Sequence, residues 1–213
     1  MSRIRINTCV LGIVSTNCYL VYHQDTKEAV VVDPSDNFPY ILEKCSELGL
    51  TPTAVLLTHG HFDHMMAAPD LRRKFQVKIY ASETEDGMLA DSELNLSEQF
   101  RGAQVGFHAD QLVRDGQEMT LLNTAWQVLE TPGHTSGSVC YYLPEEKIIF
   151  TGDTLFRESY GRTDLPTGNS SQLVHSIFDR LFVLPDDVMV YSGHGDPTSM
   201  GYEKEHNPIS FYR

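Results

Sequence analysis

A run of histidines and an aspartate, Thr58-His59-Gly60-His61-Phe62-Asp63-His64, follows a short apolar segment and has the pattern H-x-H-x-D-H. In an extended loop, side chains at alternate positions point the same way, so His59 and His61 are placed to hold one metal ion. The following turn directs Asp63 and His64 toward a second ion, and Gly60 helps the backbone bend tightly. Three histidines and an aspartate directly after a strand favour a metal site over packed or surface histidines.

Three further residues of metal-ligand type stand in separate glycine-flanked turns. They are His134 in Gly133–Gly137, Asp153 in Thr151–Thr154 and His194 in Ser192–Gly195. Each turn alone is weak evidence, because glycine beside a polar residue is ordinary turn chemistry. Together they indicate a site, and five of the nine histidines fall in these motifs. Surface or structural roles are expected for the other four, which are His23, His108, His175 and His206.

Seven apolar segments have the length and the β-branched or aromatic content of strands. They are Cys18–Tyr22, Ala29–Val32, Ala54–Leu57, Trp126–Leu129, Val139–Leu143, Ile148–Phe150 and Val188–Tyr191. Apolar residues at helical spacing predict helices at Phe38–Leu48, Pro69–Phe75 and Ser171–Leu184. The polar stretch 82–117 is predicted to be rich in loops. Because strands alternate with helices, the predicted fold class is an α/β sandwich.

Five of the predicted strands run into a residue of metal-ligand type, namely Asp33, His59, His134, Asp153 and His194. Ligands gather outside the carboxyl ends of strands in α/β folds, so these side chains are expected to converge in one cleft. The segments Val30–Asp33 and Ile149–Asp153 also resemble each other, since each is an apolar strand that runs into an aspartate. This resemblance supports a fold in which the two halves of the chain are similar.

Composition limits the class of protein. A chain of 213 residues with 41% hydrophobic content suits one domain, 1–213. No apolar run approaches the roughly 20 residues of a membrane span, and no secretory signal is visible, so a cytoplasmic protein without a membrane partner is expected. The formal net charge of −13 would repel a phosphate backbone, so no nucleic-acid partner is expected. The four scattered cysteines are interpreted as reduced packing residues.

The order of these motifs resembles that of the metallo-β-lactamase superfamily, from Asn17-Cys18-Tyr19 to Asn207-Pro208. Within the superfamily, the segments Phe150–Asp164 and Ser192–Lys204 resemble the short bacterial glyoxalase II-like hydrolases. This resemblance implies a four-layer αββα sandwich with the metal site at one edge.

The resemblance also implies a division of the ligands between two ions. One ion is held by His59, His61 and His134, the other by Asp63, His64 and His194, and Asp153 bridges them. Imidazole and carboxylate ligands suit zinc, with iron and manganese as alternatives, so two divalent ions per chain are the expected cofactors. Asp63 and Asp153 are the predicted catalytic carboxylates. Asp33 is interpreted either as a residue that orients a metal ligand by accepting its hydrogen bond or as a turn residue before Pro34.

Two divalent ions lower the pKa of a bound water toward neutrality, which supplies a nucleophile without a serine or cysteine. The resemblance therefore implies hydrolysis of a thioester such as S-lactoylglutathione. Arg162 is the predicted substrate-binding residue, through a glutathione carboxylate, and a loop salt bridge with Asp164 is an equal alternative. Asp164 and Asp196 stand where the larger glyoxalase II enzymes have substrate-binding tyrosines.

Three functions are alternatives to thioester hydrolysis. Persulfide dioxygenases of the same superfamily also carry the Gly161-Arg162-Thr163-Asp164 string and use a single iron at positions that match His59, His134 and Asp153. A nuclease or other phosphodiesterase is a third class, which the acidic charge disfavours. A non-catalytic metal-binding module gains nothing from dividing seven ligands over two ions and is the weakest hypothesis.

Overall fold

The computed structural model describes residues 3–212 and contains two six-stranded sheets and a small separate hairpin. The strands of the first sheet pair in chain order: β1 (Ile4–Leu11), β2 (Thr16–His23), β3 (Glu28–Val32), β4 (Thr51–Leu56), β5 (Lys78–Ser82) and β6 (Gln111–Val113). The pairs β1–β2 and β2–β3 are antiparallel, and the pairs from β3 to β6 are parallel.

The second sheet has the strand order β14-β13-β10-β9-β8-β7. Its strands are β7 (Glu118–Leu121), β8 (Thr124–Glu130), β9 (Val139–Leu143), β10 (Ile148–Gly152), β13 (Met189–Ser192) and β14 (Thr198–Ser199). Only β10 and β13 pair in parallel within this sheet of the described chain. The separate hairpin is formed by β11 (Leu155–Phe156) and β12 (Ser159–Tyr160).

The helices lie in the connections between strands. They are α1 (Phe38–Leu48), α2 (Phe62–Met65), α3 (Ala68–Phe75), α4 (Asp86–Ala90), α5 (Ser97–Arg101), α6 (Ser170–His175) and α7 (Met200–His206). A π-helical segment, Ser176–Leu181, continues α6, and a 3₁₀ segment, Pro208–Tyr212, follows α7. Helix α1 has a proline in its first turn and ends at Leu48. The next residue, Gly49, has a φ of 67°, a backbone conformation that glycine adopts without strain.

Apolar side chains occupy three layers, because the inner strands are buried on both faces. Between the sheets, residues such as Val30 and Val32 of β3 belong to the same cluster as Trp126 and Phe150 of the second sheet. The alternate residues of the first sheet pack with α1 and α3. Those of the second sheet pack with α6, the π-helical segment and α7. The layer order is therefore helix, sheet, sheet, helix, and the predicted αββα sandwich is confirmed.

The predicted strands and helices are all present, with boundaries that differ by a few residues. The third predicted helix does not continue to Leu184, since its last turns form the π-helical segment ending at Leu181. The prediction for 82–117 was partly wrong, because this stretch contains α4, α5 and β6. The four cysteines are buried and free. The single domain stays a prediction. Within residues 3–212, no helix has the length and apolar character needed to cross a bilayer.

Candidate metal centre

The seven predicted metal ligands lie together, beyond the last residues of β4, β8, β10 and β13. Three groups have ligand atoms that all lie within 4.8 Å of one another. These groups are His59/His61/His134, His59/His64/Asp153 and Asp63/His64/His194. The convergence of residues from four strand ends agrees with the position of binding sites in α/β folds.

The histidines of the motif are held from outside by hydrogen bonds that fix their rings. His64 Nδ1 lies 2.9 Å from the carboxylate Oδ2 of Asp33, and His134 Nδ1 lies 2.8 Å from the carbonyl oxygen of Arg162. Both partners are acceptors, so each Nδ1 donates its proton and each Nε2 faces the site, where the neutral ring offers a lone pair. Fixing the outer nitrogen of a histidine in this way is typical of metal ligands.

The helix α2 places the end of the motif. His61 precedes α2 in an extended conformation, with φ −66° and ψ 146°, and Asp63 and His64 lie in its single turn. The change from loop to helix brings His64 next to His59, with ring centroids 4.1 Å apart, and places Asp63 and His64 near His194. His61 faces the other ligand loop, since its Nδ1 lies 2.9 Å from His134 Nε2.

Asp153 lies between the two histidine groups. Its Oδ1 is 3.3 Å from His64 Nε2, and its Oδ2 is 3.5 Å from the Nε2 atoms of both His134 and His194. Its side chain is buried to all but 12% of its area. Because its two oxygens face different histidines, Asp153 has the position that a carboxylate shared by two ions would need.

Unsatisfied atoms in this cluster fit a divalent metal. His59 Nε2, His64 Nε2 and Asp153 Oδ1 are buried and have no hydrogen-bond partner, which is rare for buried polar groups. The separations of 3.3–3.5 Å between Asp153 oxygens and imidazole nitrogens also fit, because two ligands bonded to one tetrahedral ion at 2.0–2.1 Å lie about 3.3 Å apart. The residues thus offer lone pairs where an ion would accept them.

The sequence-family model of the Metallo-beta-lactamase superfamily matches residues 11–194 of this chain. This range includes all seven residues of metal-ligand type. The chain belongs to the metallo-beta-lactamase superfamily.

Relatives within this superfamily cover almost the whole chain. Probable metallo-hydrolase YqgX of Bacillus subtilis is 38% identical over 200 residues, which are 93% of this chain and 94% of the relative. Hydroxyacylglutathione hydrolase GloC of Haemophilus influenzae is 36% identical over 195 residues, which are 91% of this chain and 92% of that protein.

Solved structures of the superfamily have the same fold. The crystal structure of BLEG-1 B3 metallo-beta-lactamase has a TM-score of 0.92 at 38% identity and covers 96% of this chain and 99% of that one. TTHA1623 in a di-iron-bound form has a TM-score of 0.84 at 33% identity, with 95% and 99% covered. ETHE1 from Myxococcus xanthus has a TM-score of 0.78 at 36% identity, with 96% and 83% covered.

The electrostatics of the site differ between its two ends. The all-histidine end is the group His59/His61/His134, and the acidic end is the group Asp63/His64/His194. Burial lowers the pKa of His59 and lowers that of His61 to about 3, with the neighbouring imidazoles adding to the effect. Burial also acts to lower the pKa of His194, but hydrogen bonds with Asp153 and Asp63 outweigh it and raise the value to about 9. His59 and His61 are therefore unprotonated at neutral pH, whereas the acidic end attracts protons.

The carboxylates of the acidic end are strongly favoured as anions. Burial acts to raise the pKa of Asp63, but attraction to His64 and hydrogen bonds with His194 and Thr16 outweigh it and leave the value at about 2. The pKa of His64 is raised because Asp63, Asp153 and Asp33 outweigh the effect of burial. Cations are thus stabilised at this end, whether they are protons on histidine or a metal ion.

Two predicted residues lie outside the ligand cluster. Asp33 is 1% exposed and contacts His64, so it is more than a turn residue. The side chain of Arg162 is 61% exposed and forms a bidentate salt bridge with Asp164, at 2.6 and 2.7 Å. Its carbonyl oxygen, rather than its guanidinium, contacts the site through His134.

Residues of β2 support the site but had no predicted role. Thr16 Oγ1 donates to Asp63 Oδ2 at 2.8 Å. Asn17 Nδ2 donates to the carbonyl oxygens of Ser192 and Gly195. These two hydrogen bonds hold the turn that carries His194. The resemblance included Asn17, but nothing in the spacing indicates this contact, because the partners are 175 and 178 residues apart.

Proposed function

We propose that this superfamily member is a cytoplasmic, dinuclear metal-dependent hydrolase of thioesters, with an acyl-glutathione such as S-lactoylglutathione as the substrate. One ion is held by His59, His61 and His134, the other by Asp63, His64 and His194, and Asp153 is shared. The observation that carries this proposal is the position of Asp153, whose two oxygens face histidines of both groups. The similarity to the hydroxyacylglutathione hydrolase GloC supports the substrate class.

Two divalent ions, with zinc as the first choice and iron or manganese as alternatives, would supply a water of lowered pKa and a Lewis acid for the thioester carbonyl oxygen. The residues of this chain fix where that chemistry takes place. Asp33 and the carbonyl of Arg162 hold the rings of His64 and His134, and Thr16 holds Asp63 by donating to its Oδ2. His194 is the ligand with the most exposed side chain, at 29%, so we place the substrate entrance on its side.

The proposal assigns Arg162 to the substrate carboxylate. Its guanidinium is paired with Asp164 in an exposed salt bridge, and exposed pairs contribute only about 0–1 kcal/mol. A substrate carboxylate is therefore able to replace Asp164 at small cost. We expect Arg162→Ala to raise KM for an anionic acyl-glutathione but not for a small uncharged thioester. Arg73→Ala is the matched control, because Arg73 is an exposed arginine whose salt bridge, with Asp70, lies within α3 and outside the site.

The central experiment combines metal analysis with a substrate panel. Purified protein is expected to contain two divalent ions per chain, to cleave acyl-glutathione thioesters, and to lose this activity with a chelator and regain it with added metal. The panel includes a β-lactam, because the similar BLEG-1 structure is described as a B3 metallo-beta-lactamase. It also includes RNA, DNA and a cyclic phosphodiester. A metal-loaded protein that leaves every acyl-thiol intact would defeat the proposal.

The second candidate function is that of a mono-iron oxidoreductase acting on glutathione persulfide. The observation in its favour is that ETHE1 and GloC are both 36% identical to this chain, so sequence identity does not separate them. In this alternative a single iron is held by His59, His134 and Asp153. One iron per chain, together with oxygen consumption on glutathione persulfide and no thioester cleavage, would select it.

A further inference from the structure

Glu85 is a buried carboxylate that touches both loops of the all-histidine group. It lies just before α4, in the polar stretch between β5 and β6, and only 1% of its surface is exposed. Its Oε1 accepts a hydrogen bond from the backbone nitrogen of Gly60 at 2.8 Å. Gly60 separates His59 from His61, so this bond fixes the peptide between the first two histidines of the motif.

The other oxygen of Glu85 faces the loop that carries His134. A Cβ atom added to Gly137 would lie 2.4 Å from Glu85 Oε2 and 2.5 Å from its backbone nitrogen. Side chains do not tolerate such contacts, so Gly137 is required by the close approach of Glu85. A Cβ on Gly60 would lie 3.3 Å from Oε1, which is a tight contact but not a clash of the same size. Two glycines of the metal motifs therefore make room for the same carboxylate.

In the described part of the chain, no basic side chain balances the charge of the Glu85 carboxylate. Glu85 belongs to none of the three metal-ligand groups, and no ion pair with lysine or arginine is found for it. Its Oε2 lacks a well-aligned hydrogen-bond donor. Burial raises the pKa of Glu85, although hydrogen bonding to Gly60, Thr135 and Gly137 opposes this effect. A buried carboxylate without a cation lowers stability.

We propose that Glu85 is a positioning residue that holds the loop of His59 and His61 against the loop of His134. By fixing both loops, it sets the affinity of the all-histidine group for its metal ion. Glu85 does not touch the acidic group, so its effect is confined to one of the two ions. The inference rests on the metal centre of the proposed function but not on its thioester substrate.

Metal affinity of the full-length protein tests this role. Competition with a zinc chelator resolves the two binding steps, and Asp63→Ala identifies the step that belongs to the acidic group. We expect Glu85→Ala to weaken the step of the all-histidine group by about 10–100-fold, as for other residues that orient metal ligands, and to leave the other step unchanged. Unchanged affinity in both steps would overturn the inference.

A control variant separates a specific loss of metal affinity from a general loss of stability. Glu203 is a fully buried glutamate that accepts hydrogen bonds from Glu158, Thr198 and Asn207 and from no predicted ligand. Glu203→Gln is expected to lower the melting temperature and to leave both metal steps unchanged. If Glu203→Gln and Glu85→Ala weaken both steps alike, the effect is one of folding and the inference fails.

Glu85→Gln keeps the test decisive if Glu85→Ala does not fold. The amide retains one oxygen but turns its NH₂ group toward a backbone N–H of either Gly60 or Gly137. Its affinity loss is expected in the same single step, between that of the wild type and that of Glu85→Ala. Wild-type affinity in Glu85→Gln would then count against the inference. Failure of thioester hydrolysis in the wild type would instead defeat the proposed substrate and leave this result intact.

Discussion

Asp33 and Asp153 occupy equivalent places in two similar halves of the molecule. In the first half, β3 pairs antiparallel with β2 and, after α1, parallel with β4. In the second, β10 pairs antiparallel with β9 and, after α6, parallel with β13. Asp33 follows β3 and Asp153 follows β10, so both carboxylates are delivered to the site by a strand of the same kind.

The surroundings of these two carboxylates differ. Asp33 accepts from Thr58 N at 2.8 Å, from Thr58 Oγ1 at 2.7 Å and from His64 Nδ1 at 2.9 Å. Asp153 Oδ1 has no hydrogen-bond partner and lies 3.3 Å from the other ring nitrogen of His64. A carboxylate saturated by protein donors positions its neighbours, whereas one with a free oxygen is available to a metal. The two halves thus meet at opposite nitrogens of one histidine.

Among the replacements that test this comparison, that of Asp153 is expected to have the largest effect on metal binding and turnover. Asp153→Asn keeps the shape of the side chain but removes the charge shared by both ions. We expect both metal steps to weaken, and turnover to fall by more than the roughly 10–100-fold typical of residues outside the ligand set. Metal content and kcat/KM check this, with circular dichroism as the control for folding. A variant with two tightly bound ions would refute the shared position.

Asp63 is intermediate, since its Oδ2 accepts a hydrogen bond from Thr16 at 2.8 Å and also faces the ring nitrogens of His64 and His194 at 3.4 Å. Asp63→Ala is expected to remove one ion and leave the other partly bound, so turnover falls by orders of magnitude while the fold persists. The fold is expected to survive because the site lies on loops over a separate core. Metal stoichiometry near one per chain supports the assignment, and unchanged turnover contradicts it.

Much of this candidate site was predictable because most of its residues of metal-ligand type are local in sequence. The H-x-H-x-D-H run and the glycine-flanked turns follow apolar strands directly, and the strand ends bring them together. The contacts of Asn17 and Glu85 were not predictable, because they depend on which loops pack together across 25 to 178 residues. For Arg162, the sequence suggested a side-chain role, but a backbone carbonyl that holds His134 leaves no trace in residue type.

The fold was predictable to a similar extent and for similar reasons. Inner strands such as Ala29–Val32 are continuous apolar runs, which are visible without knowledge of their neighbours. The edge strand β1 alternates apolar and polar residues and was missed. Helices α4 and α5 have five residues each, too few to show a helical period, so the stretch that contains them resembled a loop.

The pH dependence of metal binding sharpens the contrast between the two ends of the site. In the metal-free protein the pKa of His194 is raised to about 9, so at neutral pH an ion at the acidic end must displace a proton. The affinity of the acidic end for its metal ion is expected to rise by about tenfold per pH unit until the pH reaches the pKa of His194. The pKa of His61 is about 3, so this residue adds no such dependence above about pH 4.

Chelator competition at about pH 6, 7 and 8 measures how the metal affinity of each end of the site changes with pH. The raised pKa of His64 acts in the same direction as that of His194 and would make the slope of the acidic end steeper. We therefore expect the affinity at the acidic end to rise more steeply with pH than the affinity at the all-histidine end. A steeper slope for the all-histidine group would contradict the assignment of protons to the acidic end.

The smallest expected effect comes from Asp33. In Asp33→Asn the amide keeps one acceptor oxygen, but its NH₂ group must face a donor of Thr58 or the Nδ1–H of His64. Metal affinity at the acidic end is expected to fall by about tenfold, and stability by about 1–3 kcal/mol because buried donors lose their acceptor. Chelator competition and urea unfolding measure the two effects. If Asp33→Asn weakened both metal steps as much as Asp153→Asn, the two carboxylates would have the same role as well as the same position. The contrast between the halves would then be wrong.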